Sequence, residues 1–249
     1  MKKRGQVTLF IILGILVVSG IISAVLFSVG KIQIQHYSEE AFKENFDKCI
    51  YVELENQVDK LYHNAGFLEQ RKLFVSYNDK NYSYLCYSQK PYEACTNYYP
   101  NLEKESIQEL KNLTQPLIEQ CFENIISEYK LRDYEIYEGP LNFEISFLPN
   151  FVSFDIKKEI SLTKSNITRS YFSFSHKIES RIYNFLEITN RIINDEASYS
   201  FFDDSNYMLF YPTIKIDKIK IGEINIYEVS FRDNEEQTFN FAVRRGAII

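Results

Sequence analysis

The 249-residue chain carries 28 Lys and Arg against 34 Asp and Glu, a formal charge of -6 with both signs interspersed. That balance gives no basic surface of the kind that neutralises phosphates, so nucleic acid is not an expected partner. A hydrophobic share of 45%, with 20 Phe and 19 Tyr but only 8 Gly and no Trp, describes a chain that can bury a core and makes few glycine turns. The surplus of Tyr, Phe, Ile, Lys and Asn is read as the codon bias of an AT-rich genome ahead of an aromatic binding surface.

The first element is uncharged from Val7 to Val29, 23 residues in all. At about 1.5 Å per residue a helix of that length crosses the roughly 30 Å hydrocarbon core of a bilayer. A cleavable secretory leader has an apolar stretch of only about 7 to 15 residues, so this one reads as a retained anchor, with Ser28-Val29-Gly30 as the alternative cleavage site. Lys2, Lys3 and Arg4 precede the span, and Lys31 and then Glu39 and Glu40 follow it. The positive-inside rule then leaves a cytoplasmic stub and places the rest outside. No second apolar run of this length follows, so the expected protein is single-pass, with its N-terminus cytoplasmic and its C-terminal domain extracellular.

The junction Lys3-Arg4-Gly5, followed by Gln6-Val7 and the apolar helix, resembles the archaeal class III, or prepilin-type, signal. The whole opening, KKRGQVTLFIILGI, resembles the start of a group of uncharacterised membrane-anchored proteins from small-genome archaea. This likeness implies that a prepilin-type peptidase cuts between Gly5 and Gln6 and that the helix stays on the mature chain. Type IV pilins usually carry a glutamate five residues into the mature chain, and Phe10 occupies that position here. In pilins that carboxylate pairs with a neighbour's terminal amine, and Phe10 offers no such partner.

After the span, Phe42, Phe46, Cys49, Ile50, Leu54, Val58 and Leu61 recur every three or four residues, which predicts an amphipathic helix within 31–66 that continues the anchor and stops at Asn64-Ala65-Gly66. Lys72 to Tyr77 and Tyr82 to Tyr87 read as a hairpin. A second helical pattern begins near Leu102, is interrupted at Pro116 and resumes with Leu117, Ile118, Cys121, Phe122, Ile125 and Tyr129, with Thr114 as its cap. From Leu141 the period becomes two: Phe143, Ile145 and Phe147, then Val152, Phe154 and Ile156, then Tyr171, Phe172 and Phe174 predict an antiparallel meander. Ile178, Ile182, Phe185, Ile188 and Ile192 predict a helix. Asp203 to Asn206 read as a loop, and Tyr227 to Phe231 with Phe239 to Val243 as a last hairpin. The expected fold class is therefore α+β, a long N-terminal transmembrane helix followed by an exported domain, 67–249, of antiparallel sheet with packed helices; a two-lobed division near Tyr134 is the alternative.

All four cysteines lie beyond the span, and an even number in an oxidising compartment suggests disulfides. Of three pairings, Cys49 with Cys121 is favoured because both sit on apolar helix stripes, and Cys86 with Cys95 because they flank a short loop. No close Cys or His pair has zinc spacing, and no cofactor motif occurs. The three histidines, His36, His63 and His176, have no Ser, Cys or Asp in a catalytic order and read as surface residues. Asp203 and Asp204 read as a solvated turn rather than a calcium loop. Six tyrosines between Asn81 and Pro100, with Tyr98 and Tyr99 the clearest, could stack on sugars or peptides from a stapled loop. Three glycosylation sequons, at Asn81, Asn112 and Asn166, match chance expectation in so Asn-rich a chain.

These features together suggest a non-enzymatic, membrane-anchored surface protein whose exported domain has an interaction or structural role. Its expected partners are the lipid bilayer, the processing peptidase and a surface protein or glycan. A pilin-like filament subunit is the first alternative, and an envelope ligand-binding receptor or hydrolase the second.

Overall fold

A computed structural model describes residues 18, 19, 21, 39–90 and 93–245. The chain divides into two compact units, Met1–Phe46 and Asp47–Ile249. The Gly5-Gln6 junction, Phe10, His36, Tyr92 and, apart from helical Val18, Ser19 and Ile21, the whole candidate anchor lie outside the described residues. Among the described residues no helix is long and apolar enough to cross a membrane.

Helix α1, Glu39–His63, carries the chain into the second unit. There Ile50, Leu54, Val58 and Leu61 are buried on one stripe. The helix stops where Ala65 and Gly66 take positive φ, 60° and 89°, and the Gly66 amide donates to the Leu61 carbonyl at 2.8 Å. A side chain at Gly66 would meet Leu186 Cδ2 and Ser106 Oγ at 3.0 Å, so glycine is needed for space as well as for backbone angle.

Strands β1 (Phe74–Tyr77) and β2 (Lys80–Tyr87) form the first hairpin. Its turn residues Asn78 and Asp79 both have positive φ, the conformation a tight two-residue turn demands. Strand β3 (Thr96–Asn97) pairs with β2. Helix α2 then runs unbroken from Leu102 to Lys130, with Pro116 inside it. The expected interruption is therefore absent, and Thr114 does not cap: its hydroxyl donates back to the Leu110 carbonyl at 2.8 Å. Proline is tolerated because positions 112 and 116 face solvent, where water can satisfy the carbonyl that proline leaves without a donor. The buried stripe Leu110, Thr114, Ile118 and Cys121 continues straight past it.

The meander is longer than the alternation suggests, comprising β4 (Glu135–Glu138), β5 (Asn142–Leu148), β6 (Phe151–Lys164) and β7 (Ile167–Glu179). Strand β7 lies along one edge of β6, while β5 and β4 succeed one another along the other. Ile178 belongs to β7, and helix α3 begins later and spans Ile182–Tyr199. Strand β7 outlasts the predicted strand because Ile178 faces Val152 in the ladder, and both side chains are buried. The chain ends in α4 (Asp204–Phe210), β8 (Ile214–Ile221), β9 (Ile224–Phe231) and β10 (Asn234–Arg244). Strand β10 pairs antiparallel with β9 and parallel with β2, so the end of the chain completes a sheet that its beginning opened.

The result is α+β with two sheets, one ordered β1-β2-β10-β9-β8 with β3 attached to β2, the other built on β6. Helix α3 touches β2, β3 and β10 of the first sheet and β5 and β6 of the second. Phe185, fully buried on α3, lies against Tyr62 of α1, Phe231 of β9 and Phe239 of β10, with ring centroids 5.0 to 5.8 Å apart. Phe185→Ala is expected to cost about 3 to 5 kcal/mol, read as a lowered urea midpoint.

Disulfides join Cys49 to Cys121, tying α1 to α2 with Cα atoms 5.9 Å apart, and Cys86 to Cys95, with Cα atoms 5.3 Å apart. This is the pairing favoured from the sequence. The bridges close sequence separations of 72 and 9 residues, worth about 4 and about 3 kcal/mol by chain entropy. Replacing Cys49 and Cys121 by Ser should therefore lower the unfolding midpoint more than replacing Cys86 and Cys95, a ranking that parallel urea titrations would check.

Candidate functional site

The described tyrosines of the segment between Asn81 and Pro100 do not share one surface. Tyr82 and Tyr84 are buried in the first sheet, and Tyr87 packs at 5.0 Å from Tyr84. Tyr98 is exposed beside Tyr87. Tyr99 instead lies 4.8 Å from Phe67, with the Arg71 guanidinium 3.5 Å over the Phe67 ring and Arg71 paired to Glu109 at 3.0 Å. Tyr98 and Tyr99 thus have different neighbours and form no common platform. His63 is exposed, but His176 corrects the surface reading: it is buried on β7, and its Nε2 lies 3.1 Å from Asp47 Oδ1. The inward alternation of β7 accounts for this, since Phe174, His176 and Ile178 share one face.

A cleft of about 950 Å³ lies elsewhere, between α3 and α4. Helix α3 contributes Asn184, Glu187, Ile188, Arg191 and Asp195; α4 and its flanks contribute Phe202, Asp203, Asn206, Tyr207, Phe210 and Tyr211. Thr213, Ile214 of β8 and Phe231 of β9 complete the lining. Two neighbouring depressions, of about 620 and 530 Å³, adjoin it through shared residues: Asn184, Thr213 and Phe231 link the first step, Asn150 and Arg181 the second. At that end Arg181 grips Asp233 through two hydrogen bonds of 2.6 Å and holds its carboxyl below the usual carboxylate range.

Asp203 and Asn206, read from the sequence as loop, in fact start α4. The Asp203 side chain accepts the Asn206 amide at 2.9 Å as an N-cap. None of the α4 residues is buried. Leu209 and Phe210 are 76% and 72% exposed, and Tyr211, Phe201 and Tyr199 are also open to solvent. Tyr207 and Tyr211 rings meet at 4.6 Å, and the Tyr207 hydroxyl is pushed up first by its partial removal from water and then by Tyr211.

Beneath the cleft lies a group that pattern reading missed. Glu196 continues the apolar stripe of α3 four residues after Ile192, and it is fully buried. Its Oε1 accepts hydrogen bonds from the Tyr227 hydroxyl and, at 2.9 Å, from Asn225 Nδ2. Lys218 Nζ lies 3.8 Å from the same oxygen, and Arg245 lies 3.8 Å from Oε2. Lys218 also donates to the Phe202 carbonyl at 2.8 Å and stands 3.6 Å from Asp204. Arg245 donates to the Ser200 carbonyl. The network thereby fixes the turn between α3 and α4, which sets the far wall of the cleft. A carboxylate at an apolar-stripe position was the sequence signal available.

The carboxylates of the cleft already have partners within the chain. Glu187 accepts from Tyr183 at 2.9 Å, Asp195 from Arg191 at 3.2 Å, and Asp203 from the α4 backbone. Among the described residues, no group of three His, Cys, Asp or Glu side chains could hold a metal ion. In comparisons with known proteins, the chain matches no family model, no curated protein and no solved structure.

Burial holds the hydroxyls of Tyr62, Tyr82 and Tyr227 neutral beyond their ordinary value of 10.0, with the Glu196 carboxylate adding to the effect at Tyr227. In the unfolded chain these phenols ionise near their ordinary value, so the stability they supply is complete below about pH 10 and is lost as pH rises above it. The urea midpoint should fall steeply above pH 10. Tyr227→Phe should flatten that fall and, by taking a donor from buried Glu196, cost about 1 to 3 kcal/mol at pH 7.

Proposed function

We propose that this chain is a single-pass membrane protein that displays a disulfide-stapled α+β domain outside the cell and acts there by binding rather than by catalysis. The observation that carries the reading is the pair of bridges, Cys49–Cys121 and Cys86–Cys95, which leaves no cysteine free. Bridges of this kind persist in oxidising, exported settings and are rare where thiols are kept reduced. The uncharged run from Val7 to Val29, with its basic N-terminal flank, supplies the anchor and its orientation. The resemblance of Arg4-Gly5-Gln6 to a prepilin-type junction supplies the processing step, with cleavage after Gly5 and retention of the helix.

Within the displayed domain, the cleft between α3 and α4 favours ligand binding over a purely structural role. Exposed aromatic side chains at the rim of a concave, partly polar surface are costly to leave uncovered and are common where partners dock. Protease added to intact cells should remove the domain, and non-reducing peptide mapping should recover both bridges. The mature N-terminus should be Gln6 in the alkaline-washed membrane fraction. A domain protected from external protease, or four free thiols, would overturn the reading.

A further inference from the structure

The cleft has a chemistry narrower than binding in general. Its rings and its polar groups come from different elements: Phe210 and Tyr211, both exposed, from the end of α4, and Asn184, Glu187 and Arg191 from α3. Asn184 belongs to both the main cleft and the adjoining depression, and its Oδ1 is buried without a hydrogen-bond partner among the described residues. The terminal amide torsion is soft, so this acceptor can turn toward a donor arriving in the cleft.

Three ligand classes fit badly. Glu187, Asp195 and Asp203 outnumber Arg191, so a polyanion would be repelled. A fatty chain would have to take those charges out of water and offer them no polar group in return. A peptide bound by strand addition needs main-chain bonds to an open strand edge, whereas β8 reaches this cleft only through Ile214. A sugar fits each feature. Its C–H face carries slight positive charge and suits the negative face of an aromatic ring, while its neighbouring hydroxyls match planar amide, carboxylate and guanidinium groups.

Resting on the binding role given above, we infer that the cleft takes a neutral saccharide chain, stacked on Phe210 and Tyr211 and hydrogen-bonded by Asn184, Glu187 and Arg191. The adjoining depressions toward Arg181 and Asn150 give room for more than one sugar unit.

The test is calorimetric titration of the full chain in lipid nanodiscs with neutral linear hexasaccharides of glucose, mannose and N-acetylglucosamine. At least one should bind, and Phe210→Ala and Tyr211→Ala should each weaken it about three- to tenfold. Both rings are exposed, so the fold should survive these changes. Leu131→Ala, at an exposed site on the α2 C-cap and outside the cleft lining, should leave binding unchanged. Binding of none of the three, binding of a hexalysine peptide in their place, or binding indifferent to both ring variants would overturn the inference. Those results with a protease-accessible domain would leave surface display standing. Saccharide binding by a protease-protected domain would sink display alone.

Discussion

Two sheets that share no strand can belong to one core only if something apolar covers both, and here that element is α3. Its stripe faces β2, β3 and β10 on one sheet and β5 and β6 on the other, so each sheet gives it a surface it could not find alone. Phe185 shows how tight the arrangement is, since it meets rings from a helix and from two strands of the first sheet. Dense packing of this kind admits little adjustment, so the position of α3 effectively fixes everything that leaves its ends.

At one of those ends the packing is no longer apolar. Glu196 occupies the place of the next hydrophobe, and a fully buried carboxylate is tolerated only with donors and positive charge close by. Tyr227, Asn225, Lys218 and Arg245 meet that need from the sheet side. Hydrogen bonds are directional where apolar contacts are not, so this group specifies how α3 is rotated and where the chain leaves it. The turn into α4, and with it the aromatic rim, follows from that specification.

Much of this was legible in the sequence because the signals were local. Period-two alternation found β5 and the first half of β6, and the 3.6-residue stripe found α1, α2 and most of α3. The pairing of Cys49 with Cys121 followed from helix stripes that had to meet, and that of Cys86 with Cys95 from the short loop between them. What escaped depended on competition between signals. Pro116 reads as a breaker, yet it falls on the solvent face of a helix whose buried face is continuous. Asp203 and Asp204 read as loop because α4 has no buried face to give it a period. The cleft itself was invisible, since Asn184 and Arg191 on α3 meet Phe210 and Tyr211 only through the tertiary path of the chain.

The parallel pairing of β10 with β2 has a consequence for how the molecule comes into being. Ala242 stands opposite Tyr84, and Val243 opposite Cys86, across nearly the whole length of the domain. A chain synthesised or threaded through a pore from its N-terminus can fold α1, the first hairpin and α2 as they emerge, but the central position of the first sheet stays empty until the last strand arrives. Until then β2 keeps an open flank beside the Cys86 bridge. Closure of the first sheet thus waits for β10, and a nascent chain stopped short of it carries an unpaired strand edge where the folded domain has the middle of a sheet.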